Sequence, residues 1–258
     1  MCKLVLENVT KTFGGLTAVS DFSMTVEDKQ IKALIGPNGA GKTTVFNLIT
    51  GVYKLTSGKI IFNDIDISGM SSDRTVKAGI CRTFQNIRLF KNMTALQNVE
   101  VGMHCRTKND VLDILYRSKK AKEEEQYIKE KSEEHLKFLG IIDKRDELAS
   151  NLPYGHQRLL EIARALASEP KLLLLDEPAA GMNSEEKATL ISTIYRIREY
   201  YDVSILIVEH DMKVVMDISE SISVLNYGAK IAEGTPAEIQ SNEMVIEAYL
   251  GRGGNKAC

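Results

Sequence analysis

The stretch Gly36-Pro37-Asn38-Gly39-Ala40-Gly41-Lys42-Thr43 constrains this chain more than any other part of it. It fits the pattern GxxxxGK[ST], and its flanks fit the context that the pattern requires. Ile31-Lys32-Ala33-Leu34-Ile35 reads as a short buried strand, and Thr44-Val45-Phe46-Asn47-Leu48-Ile49 as a helix with an apolar face. Glycines in such a loop let the backbone adopt φ > 0 and come within hydrogen-bonding distance of phosphate oxygens. The N–H groups of the helix's first turn, with the positive end of its dipole, then hold the negative charge. In this reading residues 36–44, through Thr44, cradle a triphosphate. Lys42 reaches its β- and γ-phosphates, and the Thr43 hydroxyl ligates Mg²⁺. The chain is expected to bind a nucleoside triphosphate.

Composition narrows the setting. The 258 residues are 43% hydrophobic and 26% charged, as in a soluble globular protein large enough to bury a substantial core. A formal net charge of −2 gives no support for broad nucleic-acid binding. No apolar run approaches the roughly 20 residues that span a bilayer. Met1-Cys2-Lys3-Leu4 lacks the apolar core of a signal peptide. The expectation is a cytoplasmic chain whose membrane role, if it has one, runs through a partner. Cys2, Cys81, Cys105 and Cys258 are scattered without CxxC spacing and read as reduced thiols.

Taken in order, Leu4–Val9 and Ser20–Val26 read as strands joined through Phe13-Gly14-Gly15, and Lys59–Phe62 as another strand entered by Thr56-Ser57-Gly58. Beside its glycine turn, Phe13 reads by itself as an ordinary core phenylalanine. Asp66-Ile67-Ser68-Gly69 matches the short DxxG element of GTPases, but no NKxD guanine-reading motif follows, so that reading fails. From Asn92 the character changes. Thr94-Ala95-Leu96-Gln97 is a capping box opening a helix through Val101. A polar break near Lys108-Asn109-Asp110 precedes a long charged helix, Lys119 to Leu139. Tyr127, Ile128, Leu136 and Leu139 are its expected buried side, and Glu125–Lys129 and Glu133–Lys137 its expected i,i+4 pairs. The middle third therefore reads as a helical lobe inserted into an α/β core. Arg158 to Ala167 is helical, Leu172-Leu173-Leu174-Leu175 a central parallel strand, and Val203 to Val208 a second one. Asn183, with Glu186 at N3, caps a helix to about Tyr200. Met212–Ile218 is helical, Ile222–Leu225 a strand, Asn226-Tyr227-Gly228-Ala229 a hairpin turn, and Thr235-Pro236-Ala237-Glu238 caps a last helical segment.

The aliphatic strand ending in Asp176-Glu177 supplies the second half of a nucleotide site. A carboxylate at the end of a buried strand beside the glycine loop, Asp176, can hold Mg²⁺. The next one, Glu177, is placed to take a proton from the attacking water. Three further elements follow. Cys81-Arg82-Thr83-Phe84-Gln85-Asn86 puts a glutamine at the joint between core and lobe. Leu152-Pro153-Tyr154-Gly155-His156-Gln157-Arg158 precedes a helix, and Val208-Glu209-His210-Asp211 ends a strand with a histidine. Each alone has an ordinary reading as surface or loop residues. Together, in this order, they resemble the ATP-binding cassette family over nearly the whole chain.

That resemblance implies a single domain with a P-loop NTPase (RecA-like) α/β core and an N-terminal antiparallel β region. Residues 1–88 and 160–258 would form the core and 89–159 the helical subdomain. It gives Phe13 an adenine-stacking role, Gln85 the sensing of Mg²⁺ and attacking water, and His210 the steadying of the γ-phosphate. Leu152, Pro153, Tyr154, Gly155, His156 and Gln157 match the signature, usually LSGGQ, and Ala179-Ala180-Gly181-Met182-Asn183 the D-loop. In this family two cassettes close head to tail, each signature capping the ATP of the other. Pro153 replaces the signature serine and Asn183 the D-loop aspartate, which weakens the expected homodimeric site. Asn151 to Leu166, Glu177 to Asn183 and Ala248-Tyr249-Leu250-Gly251 look like the LivG type, cassettes of branched-chain amino acid importers. That type implies a second, different cassette, two membrane permease subunits and an extracytoplasmic binding protein, with this subunit peripheral on the cytoplasmic face. Cofactors would be ATP and Mg²⁺. The rivals are another transporter cassette, such as the lipopolysaccharide-export ATPase, and a soluble cassette ATPase. The chain has neither the long coiled-coil insert of DNA-repair members nor the twin cassettes of ribosome-acting ones.

Overall fold

The computed structural model describes residues 3–106 and 119–250; the polar break at Lys108-Asn109-Asp110, Cys2, Cys258 and Gly251 lie outside them. Two sheets carry the architecture. β1 (Leu4–Phe13), β2 (Leu16–Val26), β4 (Ser57–Phe62) and β5 (Ile65–Asp66) form an antiparallel sheet in the order β2-β1-β4-β5. The second sheet has the order β10-β9-β3-β8-β7-β6, with β3 (Ile31–Ile35), β6 (Ile80–Arg82), β7 (Leu172–Asp176), β8 (Ser204–Val208), β9 (Ser221–Asn226) and β10 (Ala229–Gly234). Strands β6 to β9 and β3 run parallel, and β10 returns antiparallel along the edge through the Tyr227-Gly228 turn. Both turn residues have positive φ, 45° and 81°, as a two-residue hairpin turn of the I′ kind requires.

The unbroken aliphatic strands are explained by burial on both faces. Along β7, Leu172 and Leu174 join the core beneath the antiparallel sheet, while Leu173 and Leu175 join the core on the opposite face. The first core contains Phe22, Phe62 and the inner side of α1 (Lys42–Ile49). The second is closed by α3 (Ala95–Met103), α5 (Tyr154–Leu166), α6 (Ser184–Tyr201) and α7 (Met212–Ile218). α4 (Lys119–Phe138) packs on α3 and α5, and α8 (Pro236–Gln240) and α9 (Glu243–Leu250) end the described chain. The capping boxes at Thr94, Asn183 and Thr235 all form with both reciprocal hydrogen bonds.

Among the elements that escape the sequence pattern, α2 (Ser72–Ala78) and the three-residue β6 are short, and β10 is half-exposed. The charged helix also differs from expectation. Leu136 and Leu139 are buried as expected and Ile128 is partly buried, but Tyr127 is 49% exposed, and Ser132 and His135 complete the buried side. Glu133 pairs with Arg145 at 2.9 Å rather than with Lys137, because the chain after the helix folds back and brings the longer guanidinium to it. The Nδ1 atom of His135 lies 2.7 Å from the Tyr201 hydroxyl, and the two rings stack with centroids 5.5 Å apart.

Burial pushes the His135 imidazole down to about 4, so the folded protein holds it neutral. The unfolded chain then binds the extra proton as pH falls below about 6.5, and the folded protein follows only near pH 4. Stability contributed by this group is therefore lost between those limits, by up to about 3 kcal/mol at 1.36 kcal/mol per pH unit. His135→Gln should flatten the fall in melting temperature from pH 6.5 to 4.5 relative to the parent; parallel curves would count against a neutral buried His135.

Candidate functional site

The parallel register brings the polar ends of the central strands to one edge. Leu34 at the end of β3 stands opposite Val208, and Val208 opposite Asp176. Residues 36–41 leave β3 there as a loop that the rest of the chain clasps. The Gly228 N–H donates to Ala40 O at 2.9 Å, and the Ser20 N–H to Gly228 O at 2.8 Å. Two glycines are enforced by space. A Cβ at Gly36 would fall 2.0 Å from Leu225 O, and one at Gly41 would fall 2.5 Å from Ala18 O. Gly41 is the N-cap of α1 with φ 109° and provides no side-chain cap, so the first N–H groups of α1 are left for an anion. Thr43, on the first turn, is exposed.

Lys42 is 92% buried and donates to Gly36 O at 2.6 Å and Pro37 O at 3.0 Å. Burial holds its ammonium below the ordinary lysine value, opposed by the carboxylates of Glu177 and Asp176. The ammonium is thus parked on its own loop, within reach of the charge that would replace those carbonyls.

Asp176 ends β7 at 3% exposure, with Oδ2 accepting from Arg82 Nη2 at 2.7 Å. Arg82 Nη1 donates to Asn47 Oδ1 at 2.7 Å, and its guanidinium lies 5.3 Å from the ring centroids of both Phe46 and Phe84. Sequence reasoning passed over Arg82, for which the available signal was its place three residues before Gln85. Glu177 turns out of β7 with φ 47°, its N–H donating to Val208 O at 2.8 Å. Its Oε2 accepts from Gln85 Nε2 at 2.8 Å and lies 3.4 Å from His210 Nδ1. Lys42, Gln85, Asp176, Glu177 and His210 are therefore gathered at one strand edge.

A buried carboxylate that the sequence reading passed over holds the back of this group. Glu209, 1% exposed, accepts from the N–H of Ala179 at 2.7 Å and of His210 at 3.2 Å, and burial raises its pKa above the ordinary glutamate value. Among the described residues, no group of three or more His, Cys, Asp or Glu side chains forms a metal cage. Thr43, Gln85 and Asp176 each carry a side-chain oxygen, the donor type that a hard cation takes.

Phe13 is 40% exposed and belongs to neither core; its ring meets Tyr53 edge-on at 5.1 Å, with Lys11 Nζ 4.7 Å from its centroid. The core reading of Phe13 is thereby set aside, and Tyr53 emerges as a second aromatic beside it. The signature segment lies with residues 180–183: Gly181, at φ 76°, is close enough to Tyr154 that a Cβ there would be 3.4 Å from its ring. Pro153 is the N-cap of α5 without a side-chain bond, and Gln157 Nε2 closes on Leu152 O at 2.8 Å. His156 is half-buried, and its Nδ1 is buried with no hydrogen-bond partner. Asn183 Oδ1 accepts from the N–H groups of Glu185 and Glu186, both at 3.0 Å, while Met182 packs into the core and Ala180 is half-buried. No hydrogen bond or ion pair among the described residues joins 152–157 to 36–44.

Arg82→Met should leave Asp176 buried without its cation, a change that typically costs about 3–5 kcal/mol. Urea denaturation should show it as a lowered midpoint; an unshifted midpoint would mean that Asp176 does not depend on Arg82.

The family model described as ABC transporter matches residues 19–180, and one described as Branched-chain amino acid ATP-binding cassette transporter matches residues 229–255. The chain is 43% identical over 248 residues to the high-affinity branched-chain amino acid transport ATP-binding protein BraF of Pseudomonas aeruginosa, covering 96% of this chain and 97% of that one. It is 41% identical, with the same coverage, to LivG of Escherichia coli K12, named likewise. The lipopolysaccharide export system ATP-binding protein LptB of Haemophilus influenzae is more distant, at 34% over 97% of this chain and 98% of that one. Among solved structures, a nucleotide-free ATP-binding cassette from an ABC transporter superposes with a TM-score of 0.85 at 32% identity, covering 97% of this chain and all of that one. A dimeric bacterial ABC transporter cassette gives 0.77 at 25%, covering 90% and 98%. Fold, site and relatives agree: the chain belongs to the ATP-binding cassette family of ABC transporters.

Proposed function

We propose that this chain is the ATP-hydrolysing subunit of an importer for branched-chain or related amino acids. The observation that carries the hydrolytic half is the meeting of Gln85 and His210 on one oxygen of Glu177, at the strand edge that also bears Asp176 and the Lys42 loop. The importer half is supported by the names of the relatives at 41–43% identity and by the match of residues 229–255. The lipopolysaccharide-export alternative has the weaker support, from a more distant relative.

In this reading Phe13 stacks on the adenine, with Tyr53 steadying its ring. The N–H groups from Gly39 to Thr44 enclose the phosphates, and Lys42 exchanges the carbonyls of Gly36 and Pro37 for β- and γ-phosphate oxygens. Thr43, Asp176 and Gln85 would hold Mg²⁺, which would supply charge neutralisation for the triphosphate. Glu177 accepts the proton of the attacking water, Gln85 orients that water, and His210 donates to the γ-phosphate as charge builds. Arg82 leaves one Asp176 oxygen free for the cation side while fixing the other. Residues 1–88 and 160–258 act as the nucleotide-binding core and 89–159 as the helical subdomain that faces the membrane partners. No helix among the described residues is long and apolar enough to cross a membrane. Attachment to the cytoplasmic face would therefore run through two permease subunits, with a binding protein beyond them.

The composite site needs a second cassette, because the signature residues 152–157 lie with the 180–183 turn rather than with residues 36–44. The dimeric cassette structure supports pairing in this fold. With Pro153 lacking a hydroxyl and Asn183 lacking a charge, a different cassette is the favoured mate.

Glu177→Gln should lower ATP hydrolysis at least a hundredfold while equilibrium ATP binding stays within a few-fold of the parent; near-normal turnover would remove Glu177 from the base role. Hydrolysis per mole should also rise with protein concentration and on adding a partner cassette with permease subunits. A specific activity that is constant across a wide dilution series, and indifferent to those subunits, would identify a self-sufficient monomeric ATPase instead.

A further inference from the structure

The turn that carries Gln85 is gripped from behind by two charged residues of α5 that are buried completely. Arg158 and Glu161 are 0% and 1% exposed and paired through Nη1 and Oε2 at 2.8 Å. All but one of their other hydrogen bonds go to the backbone of residues 84–88. Arg158 Nη1 donates to Phe84 O at 2.7 Å, and Nη2 to Gln85 O at 2.9 Å and to the Tyr154 hydroxyl at 3.2 Å. Glu161 Oε1 accepts from the N–H of Arg88 at 3.1 Å and, at 3.4 Å, from that of Phe84.

Burying an ion pair is a poor way to gain stability, since an apolar pair of the same size often serves as well or better. The chain keeps the pair where its spare donors and acceptors hold both ends of the turn whose side chain touches Glu177. The same two residues lie one and two turns from the start of α5, where Pro153, Tyr154 and Gly155 stand. One rigid clasp thus spans the signature helix and the Gln85 turn.

We infer that Arg158 and Glu161 are positioning residues for hydrolysis, a buried clasp that makes the Gln85 turn move as one body with the signature helix. The inference rests on the proposed function for its catalytic consequence, but the clasp itself is a statement about residues 84–88 and α5. When a facing cassette draws on the signature of this chain, the clasp carries that displacement to Gln85 and so to the water held against Glu177. Engagement at one nucleotide would thereby set the geometry at the other.

The test replaces both charges at once. Arg158→Met with Glu161→Leu removes the pair while filling its volume, so the fold is kept, and the freed backbone groups of the half-exposed turn can bond to water. The expected result is a melting temperature near the parent value, a kcat at least tenfold lower with the KM for ATP within about twofold, and faster amide exchange at residues 84–88. Glu161→Gln, which keeps the side chain's shape, should show the same direction in exchange and kcat to a smaller degree, and it carries the test if the double variant does not fold. An unchanged kcat together with unchanged exchange at 84–88 in either folded variant would overturn the inference. If the parent itself hydrolyses no ATP, the proposed function fails, and the exchange measurement still decides whether the clasp exists.

Discussion

Burial on both faces of the central sheet is the constraint on which the remaining structure depends. Strands β3, β7 and β8 have every residue buried, so no interior position can hold a functional group without a partner. Polar chemistry is pushed to the strand ends, and parallel pairing puts those ends on one edge. The glycine loop, Asp176-Glu177 and Glu209-His210 meet there because the three strands are in register, not because they are near in sequence.

The charges buried at this edge are each held by an opposite charge, by carbonyls or by N–H groups. Arg82 ties Asp176 to Asn47 of α1, so the carboxylate and the phosphate loop's helix share one guanidinium. Lys42 rests on Gly36 and Pro37, and Glu209 rests on two N–H groups that lead into the 179–183 turn and His210. Removing any one holding group would disturb geometry and stability together, which is why shape-conserving variants distinguish the two.

The motifs were legible because they are contiguous strings whose chemistry depends on spacing along the chain. Residues 36–44, Asp176-Glu177 and the capping boxes at Thr94, Asn183 and Thr235 fall in this class. So do the central strands, whose aliphatic runs have no other stable setting. What was not legible is long-range pairing. Arg82 reads as a surface arginine until β6 is seen beside β7, and three residues carry too little periodicity to announce a strand. Tyr127 fits an apolar stripe by spacing, yet the buried stripe of α4 runs through Ser132 and His135, whose polar atoms find Met103 and Tyr201 on other helices. Phe13 was open to two readings from sequence, and its exposure beside Tyr53 separates them.

Asn183 has a consequence for how such a chain can diverge. Its side chain caps α6 through one oxygen, which accepts from two N–H groups. Aspartate offers the same oxygen in the same place and caps a helix about as well. Exchange between the two residues therefore leaves the helix, its reciprocal bond with Glu186 and the core behind Met182 in place, and changes only the charge. The sign presented at this point of the surface can drift or be selected independently of folding, so that two related cassettes can become unlike each other there while remaining the same shape.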